Sequence, residues 1–116
     1  MLFRSAERDA EGVTSRFLEA VAAGDVAAAC GLLTPRARDE VAVSEGSLCT
    51  ESLPAERLAQ ELAGRAVTGV DVWSGWAKAS TGSGALFLTE FDSGWLISAA
   101  GCTPHGDEPY RCVVGG

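Results

Sequence analysis

The chain has no asparagine, a single lysine (Lys78), a single histidine (His105), one methionine and one tyrosine. Without asparagine there is no acceptor for N-glycosylation. No apolar run approaches the roughly 20 residues that a membrane-crossing helix needs, so membrane insertion by this segment is not expected. Basic residues are also scarce: nine stand against sixteen acidic ones, and a net charge of -7 repels phosphate backbones and anionic lipid, which leaves nucleic acid out as an expected partner. Met1-Leu2-Phe3 runs straight into Arg4 with no seven-residue apolar core, so no secretory signal is expected within residues 1–116. No Cys-x-x-Cys pair exists to suggest zinc. Gly82-Ser83-Gly84 is too short for a phosphate loop or a nucleophile elbow, and no cofactor motif is present, so no cofactor is expected.

What is present fits one domain spanning residues 1–116, a length that buries about two-thirds of its unfolded surface around one core. Alanine and glycine are abundant, and arginine outnumbers lysine eight to one, the usage of a GC-rich, bacterial genome. Four cysteines allow three pairings. Cys102 and Cys112 bracket the turn-rich stretch from Thr103 to Pro109 between two β-prone runs, which places them opposite each other in a hairpin, and Cys30 is left to pair with Cys49. Each bridge then stabilises by about 3 kcal/mol on the chain-entropy model. Disulfides imply an oxidising compartment. The expected location is therefore extracytoplasmic, with a leader or anchor removed; a cytosolic chain with reduced thiols is the alternative.

Helical spacing comes first along the chain. Ser5 is positioned to cap a helix to about Ala23, with Ala10, Val13, Phe17, Ala20 and Val21 on one face. Gly24 stops it, Asp25 caps a second helix through Leu33, and Thr34-Pro35 opens a third to about Val41. Ser44 to Ser52 reads as loop. Pro54 opens a last helix with Leu58 and Leu62 one turn apart, ended by Gly64. From Ala66 the period becomes alternating. Strands are expected at 67–73, 76–81, 85–92, 95–101 and 110–114, joined at Ser74-Gly75, Gly82-Ser83-Gly84 and Ser93-Gly94. Helices followed by an antiparallel meander make an α+β fold, with the helices covering the apolar, concave face of a curved sheet in a cystatin-like cone.

Phe17-Leu18-Glu19-Ala20-Val21, Ala23-Gly24-Asp25 and Leu32-Leu33-Thr34-Pro35, followed by the meander, resemble the nuclear transport factor 2-like superfamily, which includes ketosteroid isomerases, polyketide cyclases and scytalone dehydratases. The run from Gly94-Trp95 through Ala99-Ala100-Gly101-Cys102-Thr103-Pro104 to Pro109-Tyr110-Arg111-Cys112-Val113-Val114-Gly115 resembles small cell-envelope proteins of GC-rich bacteria. The resemblance implies a cone with a pocket at its wide end, and for some members dimerisation through the outer sheet face, a role open to Trp76.

Candidate chemistry is sparse. Asp71, alternating with Gly69 and Trp73, and Glu90, sharing a face with Leu86 and Leu88, are the carboxylates that a general base would require; an exposed position on the outer sheet face is the plainer reading of both. His105, with Asp107 and Glu108, offers a weak cation site or simply a solvated turn. Trp73, Trp76, Phe17, Trp95 and Tyr110 are candidates for a pocket or contact surface, alongside Phe87 and Phe91 in the same aromatic group; core packing is the ordinary alternative, and Trp73 and Trp76 flank a turn too tight for both to be buried. The sequence thus favours a non-enzymatic module binding a small hydrophobic ligand or a protein partner, with a small-molecule isomerase, cyclase or dehydratase and a structural accessory domain as alternatives.

Overall fold

The five apolar positions picked out at helical spacing all turn inward. In the computed structural model, which describes residues 2–45, 48–62, 66–82, 84–105 and 108–115, helix α1 (Leu2–Ala23) buries Ala10, Val13, Phe17, Ala20 and Val21. Thr14 lies buried among them because its hydroxyl donates to the Ala10 carbonyl at 2.8 Å. Ser5 is not the cap: the helix already runs from Leu2, since no glycine or proline among the preceding residues interrupts it. Its other end is a Schellman turn, in which Gly24 (φ 72) donates to Val21 at 3.1 Å and Asp25 donates to Ala20 at 2.8 Å.

Asp25 then caps α2 (Val26–Gly31), its carboxylate accepting from the Ala28 amide at 3.1 Å. Thr34 does the same for α3 (Pro35–Glu45), accepting from Ala37 at 3.1 Å, and this helix continues one turn past the expected end near Val41. A short helix, α4 (Cys49–Ser52), replaces part of the expected loop. Helix α5 (Ala55–Leu62) buries Leu58 and Leu62; the stop assigned to Gly64 lies outside the described residues.

The strands are β1 (Gly69–Trp73), β2 (Trp76–Thr81), β3 (Gly84–Phe91), β4 (Gly94–His105), β5 (Glu108–Arg111) and β6 (Val114–Gly115), antiparallel in the order β1-β2-β3-β4-β5, with β6 also on β4. Two corrections concern the end of the chain: β4 reaches His105 rather than stopping at Gly101, and the last expected strand is broken at Cys112–Val113 into β5 and β6. The edge of β4 away from β3 is filled in succession. Leu33 bridges Ile97, with hydrogen bonds of 2.8 and 2.7 Å on either side, then Gly115 and Val114 stand opposite Ala99 and Ala100, and Arg111 stands opposite Thr103.

Against β3, β4 slips register twice, between the pairs at Ala85 and Phe87 and between those at Phe87 and Leu88. Each slip places an extra residue in β4, which bends the strand and increases its twist. Gly101 (φ 65) sits at this bend, where an added Cβ would come within 2.9 Å of the Val113 side chain. The sheet is consequently curved, and the helices pack on one of its faces. Phe17, Leu58, Leu86, Leu88 and Ile97 fill the space between the layers as fully buried side chains.

Candidate interaction site

Strand β2 reads Trp76-Ala77-Lys78-Ala79, and its alternation sends the two alanines under the helices and the tryptophan outward. The cross-strand partners obey the same parity. On the outer face Trp73 stands opposite Trp76, Asp71 opposite Lys78, and Lys78 opposite Phe87. The turn between the tryptophans holds Ser74 at φ 51, a conformation that favours glycine, and leaves the two rings 5.3 Å apart at 40°.

Tyr110 reaches this face from β5. Its ring meets Phe87 edge-on at 5.4 Å and 76°, and the Lys78 ammonium lies 5.6 Å from the Tyr110 ring centroid and donates to its hydroxyl at 3.5 Å. The aromatic pair is worth about 0.5–1.5 kcal/mol and an exposed cation–π contact about 0.5–1 kcal/mol. Two residues away the Cys102–Cys112 bridge closes the β4–β5 hairpin with Cα atoms 3.9 Å apart, and a bridge of this span contributes about 3 kcal/mol by chain entropy. The bridge, the pairing of Arg111 with Thr103 and the ring contacts together place Tyr110 over the sheet.

Between these groups runs an open groove of about 500 Å³. The sheet contributes Trp76, Phe87, Ser98, Ala99, Tyr110 and Cys112, while Thr34, Arg36 and Glu40 border it from the start of α3. The Leu33–Ile97 bridge brings α3 there. Arg36 and Glu40 are one turn apart, Nε to Oε1 at 3.3 Å, with the arginine side chain 90% exposed, so the pair adds little stability and leaves a charged rim open to a partner. Trp73 is 47% exposed, Trp76 52%, Phe91 40% and Tyr110 36%. Four large rings on one face of a small domain form the kind of patch that marks a contact surface.

The remaining candidates are dispersed. Phe17 and Trp95 belong to the buried layer between helices and sheet and offer no surface to a partner arriving from solvent, although the edge of Trp95 reaches a second groove. Asp71 is exposed on the outer face. Glu90 does share the face of Leu86 and Leu88, but at its solvent-exposed end, where it lines that second, polar groove of about 580 Å³ with Arg8, Asp9 and Arg16 of α1. Asp71 and Glu90 thus lie on opposite faces of the sheet and do not converge on one substrate atom. His105 is the last residue of β4 rather than part of the turn, Asp107 lies outside the described residues, as do the side chains of His105 and Glu108, and among the described residues no group of three or more potential ligands is placed to hold a metal.

The four sulfurs are consumed in the two expected bridges, Cys30–Cys49 and Cys102–Cys112, which removes the thiolate-metal alternative. They fit an oxidising, extracytoplasmic setting. Among the described residues no helix is long and apolar enough to cross a membrane. Phe91 was noted only as a member of the aromatic group, and Arg36 and Glu40 were not among the sequence-derived site residues. Phe91 carried the same aromatic signal as its neighbours, whereas nothing local signals that α3 will border the sheet. Comparisons with protein-family models, with curated proteins and with solved structures give no match to this chain.

Proposed function

We propose that this chain is a nuclear transport factor 2-like domain of the bacterial cell envelope that works outside the cytoplasm as a protein-interaction module, using the outer face of its sheet. The observation that carries this reading is the outward placement of Trp73, Trp76, Phe91 and Tyr110 on one sheet face, with Trp76 and Tyr110 lining an open groove there, while alanines occupy the covered face. Tryptophan and tyrosine dominate the energetics of protein interfaces, and rings fixed on a sheet lose little conformational freedom on binding. The openness of the groove favours a protein over a small hydrophobic molecule, because small-ligand sites bury most of the ligand surface. The two bridges suit such a domain to the oxidising side of a membrane.

The test is site-specific photocrosslinking in cells of the source organism. A benzophenone amino acid replaces Trp76 or Phe91, and Glu11 on the far surface of α1 serves as the control. One defined protein adduct from positions 76 and 91, lost when Trp73 is changed to Ala in the same chain and missing from position 11, is the expected result. Adducts from position 11 alone, or a dimer of this chain as the only species, would overturn the assignment of the outer face to a different protein partner.

A further inference from the structure

We propose that the outer-face groove takes a proline-rich, uncharged segment of the partner protein in the extended polyproline II conformation. The inference rests on the reading of this face as the binding surface and adds the chemistry of what it binds. Two ring pairs anchor the groove: Trp76 with Trp73 at 5.3 Å, and Tyr110 edge-on to Phe87 at 5.4 Å. Trp76 stands opposite Thr89, so Phe87, two residues away along β3, is its diagonal neighbour on the same face, on the order of 7–8 Å away. A polyproline II chain repeats every three residues, or about 9 Å. Ring pairs at this spacing meet successive turns of such a chain, whose prolines present apolar rings already fixed in the bound shape.

The polar atoms along the groove match the same ligand. Two acceptor side chains at its border are already engaged: the Thr34 hydroxyl accepts from the Ala37 amide at 3.1 Å, and the Glu40 carboxylate accepts from Arg36 at 3.3 Å. Donors remain. Trp76 brings an indole N–H on an exposed ring, Arg36 has further guanidinium N–H groups, and Tyr110, whose hydroxyl oxygen accepts from Lys78 at 3.5 Å, keeps its own proton to give. A groove richer in open donors than in open acceptors suits a run of prolines, which has backbone carbonyls and no backbone N–H.

Charge points the same way. The chain carries -7, yet at the border of the groove Arg36 is balanced by Glu40, and beside it Lys78 stands opposite Asp71. A face balanced in this way neither draws an acidic segment nor calls for a basic one, and its electrostatic complement is an uncharged segment. An added β-strand would require a sheet edge, whereas this groove lies on the face. Prolines also lower the cost of ordering the ligand, because the free segment already populates the bound conformation.

The test titrates the full chain, its disulfides intact, with decaproline and follows displacement of 1-anilinonaphthalene-8-sulfonate. Decaproline is expected to displace the dye, and the dissociation constants of both to rise roughly tenfold in W76A and in Y110A. In W76F and Y110F, which keep a ring and lose a donor, that of decaproline is expected to rise about threefold, and this conservative pair carries the test if either alanine variant loses the fold. Raising salt from about 0.05 to 0.5 M is expected to change decaproline binding less than about twofold. If W76A and Y110A bind the dye as the parent does and decaproline does not bind, the binding-surface reading fails together with the proposal. If those variants weaken the dye but decaproline leaves it in place, the groove stands and its proline-rich occupant is wrong. Decaproline binding that W76A and Y110A leave unchanged would also overturn the proposal, because the peptide would then sit elsewhere. So would a glutamate peptide of the same length that displaces the dye equally well, because charge would then be responsible for recognition.

Discussion

The two faces of the sheet are built from the same strands and obey opposite rules. Inward, β2 carries Ala77 and Ala79, small residues that let α1 approach, and the volume is supplied by Leu86, Leu88 and Ile97 from the neighbouring strands and Phe17 from the helix. Outward, it carries Trp76 beside Trp73, with Phe91 and Tyr110 in the open. If burial alone had shaped the sequence, Trp73 and Trp76 would lie inside as Trp95 does, where each ring stabilises most. Their placement on the exposed face, where Trp76 and Tyr110 line a groove bordered by a charged helix start, separates the residues that hold the fold from those available to a partner.

Substitutions can break or sharpen that contrast. The largest effect is expected on the inner face: Phe17→Ala removes a fully buried ring and lowers unfolding free energy by about 3–5 kcal/mol, read from denaturant melts. Loss of either bridge comes next, with C30S/C49S and C102S/C112S each lowering stability by about 3 kcal/mol. A slightly larger loss for C30S/C49S, whose bridge closes the longer loop, would show that chain entropy rather than local packing sets the cost. Overfilling the inner face is milder: Ala79→Val, fully buried opposite Leu86, is expected to cost about 1–3 kcal/mol, whereas Lys78→Val, on the adjacent outer position, shifts the midpoint far less. The smallest effect is at the turn between the tryptophans. Ser74→Gly relieves a left-handed backbone worth about 1–2 kcal/mol but frees the unfolded chain, so a net gain of only a few tenths of a kcal/mol is expected in the same melts.

The inner face was largely legible in the sequence because its signals are local. Periodicity in α1 names its buried residues, Asp25 and Thr34 announce their helices through side-chain caps, and the alternation of β2 and β3 separates Ala77 and Leu88 from Trp76 and Phe87. Both disulfides follow from spacing and turn chemistry. The outer site was only half legible. Trp73 and Trp76 stand out beside a turn that cannot bury both, and Tyr110 was singled out without any indication of what it packs against. Its pairing with Phe87 depends on the two register slips in β4 and the bend at Gly101, which are set by long-range packing rather than by any local alternation. Arg36 and Glu40 depend on the bridge from Leu33 to Ile97, a contact across more than sixty residues of chain. Ser5 misled for a simple reason: a capping side chain ends a helix only where the preceding residues will not continue it.

The division of labour between the faces is tested most directly by the unfolding free energy of the triple variant W73A/W76A/F91A set beside that of Leu88→Ala. The account predicts that removing three outer rings costs no more than about 1.5 kcal/mol, mainly the lost Trp73–Trp76 pair, while removing one buried leucine costs about 2–5 kcal/mol. A triple variant destabilised as much as or more than the single inner one would mean that the exposed rings hold the fold together and are not reserved for a partner.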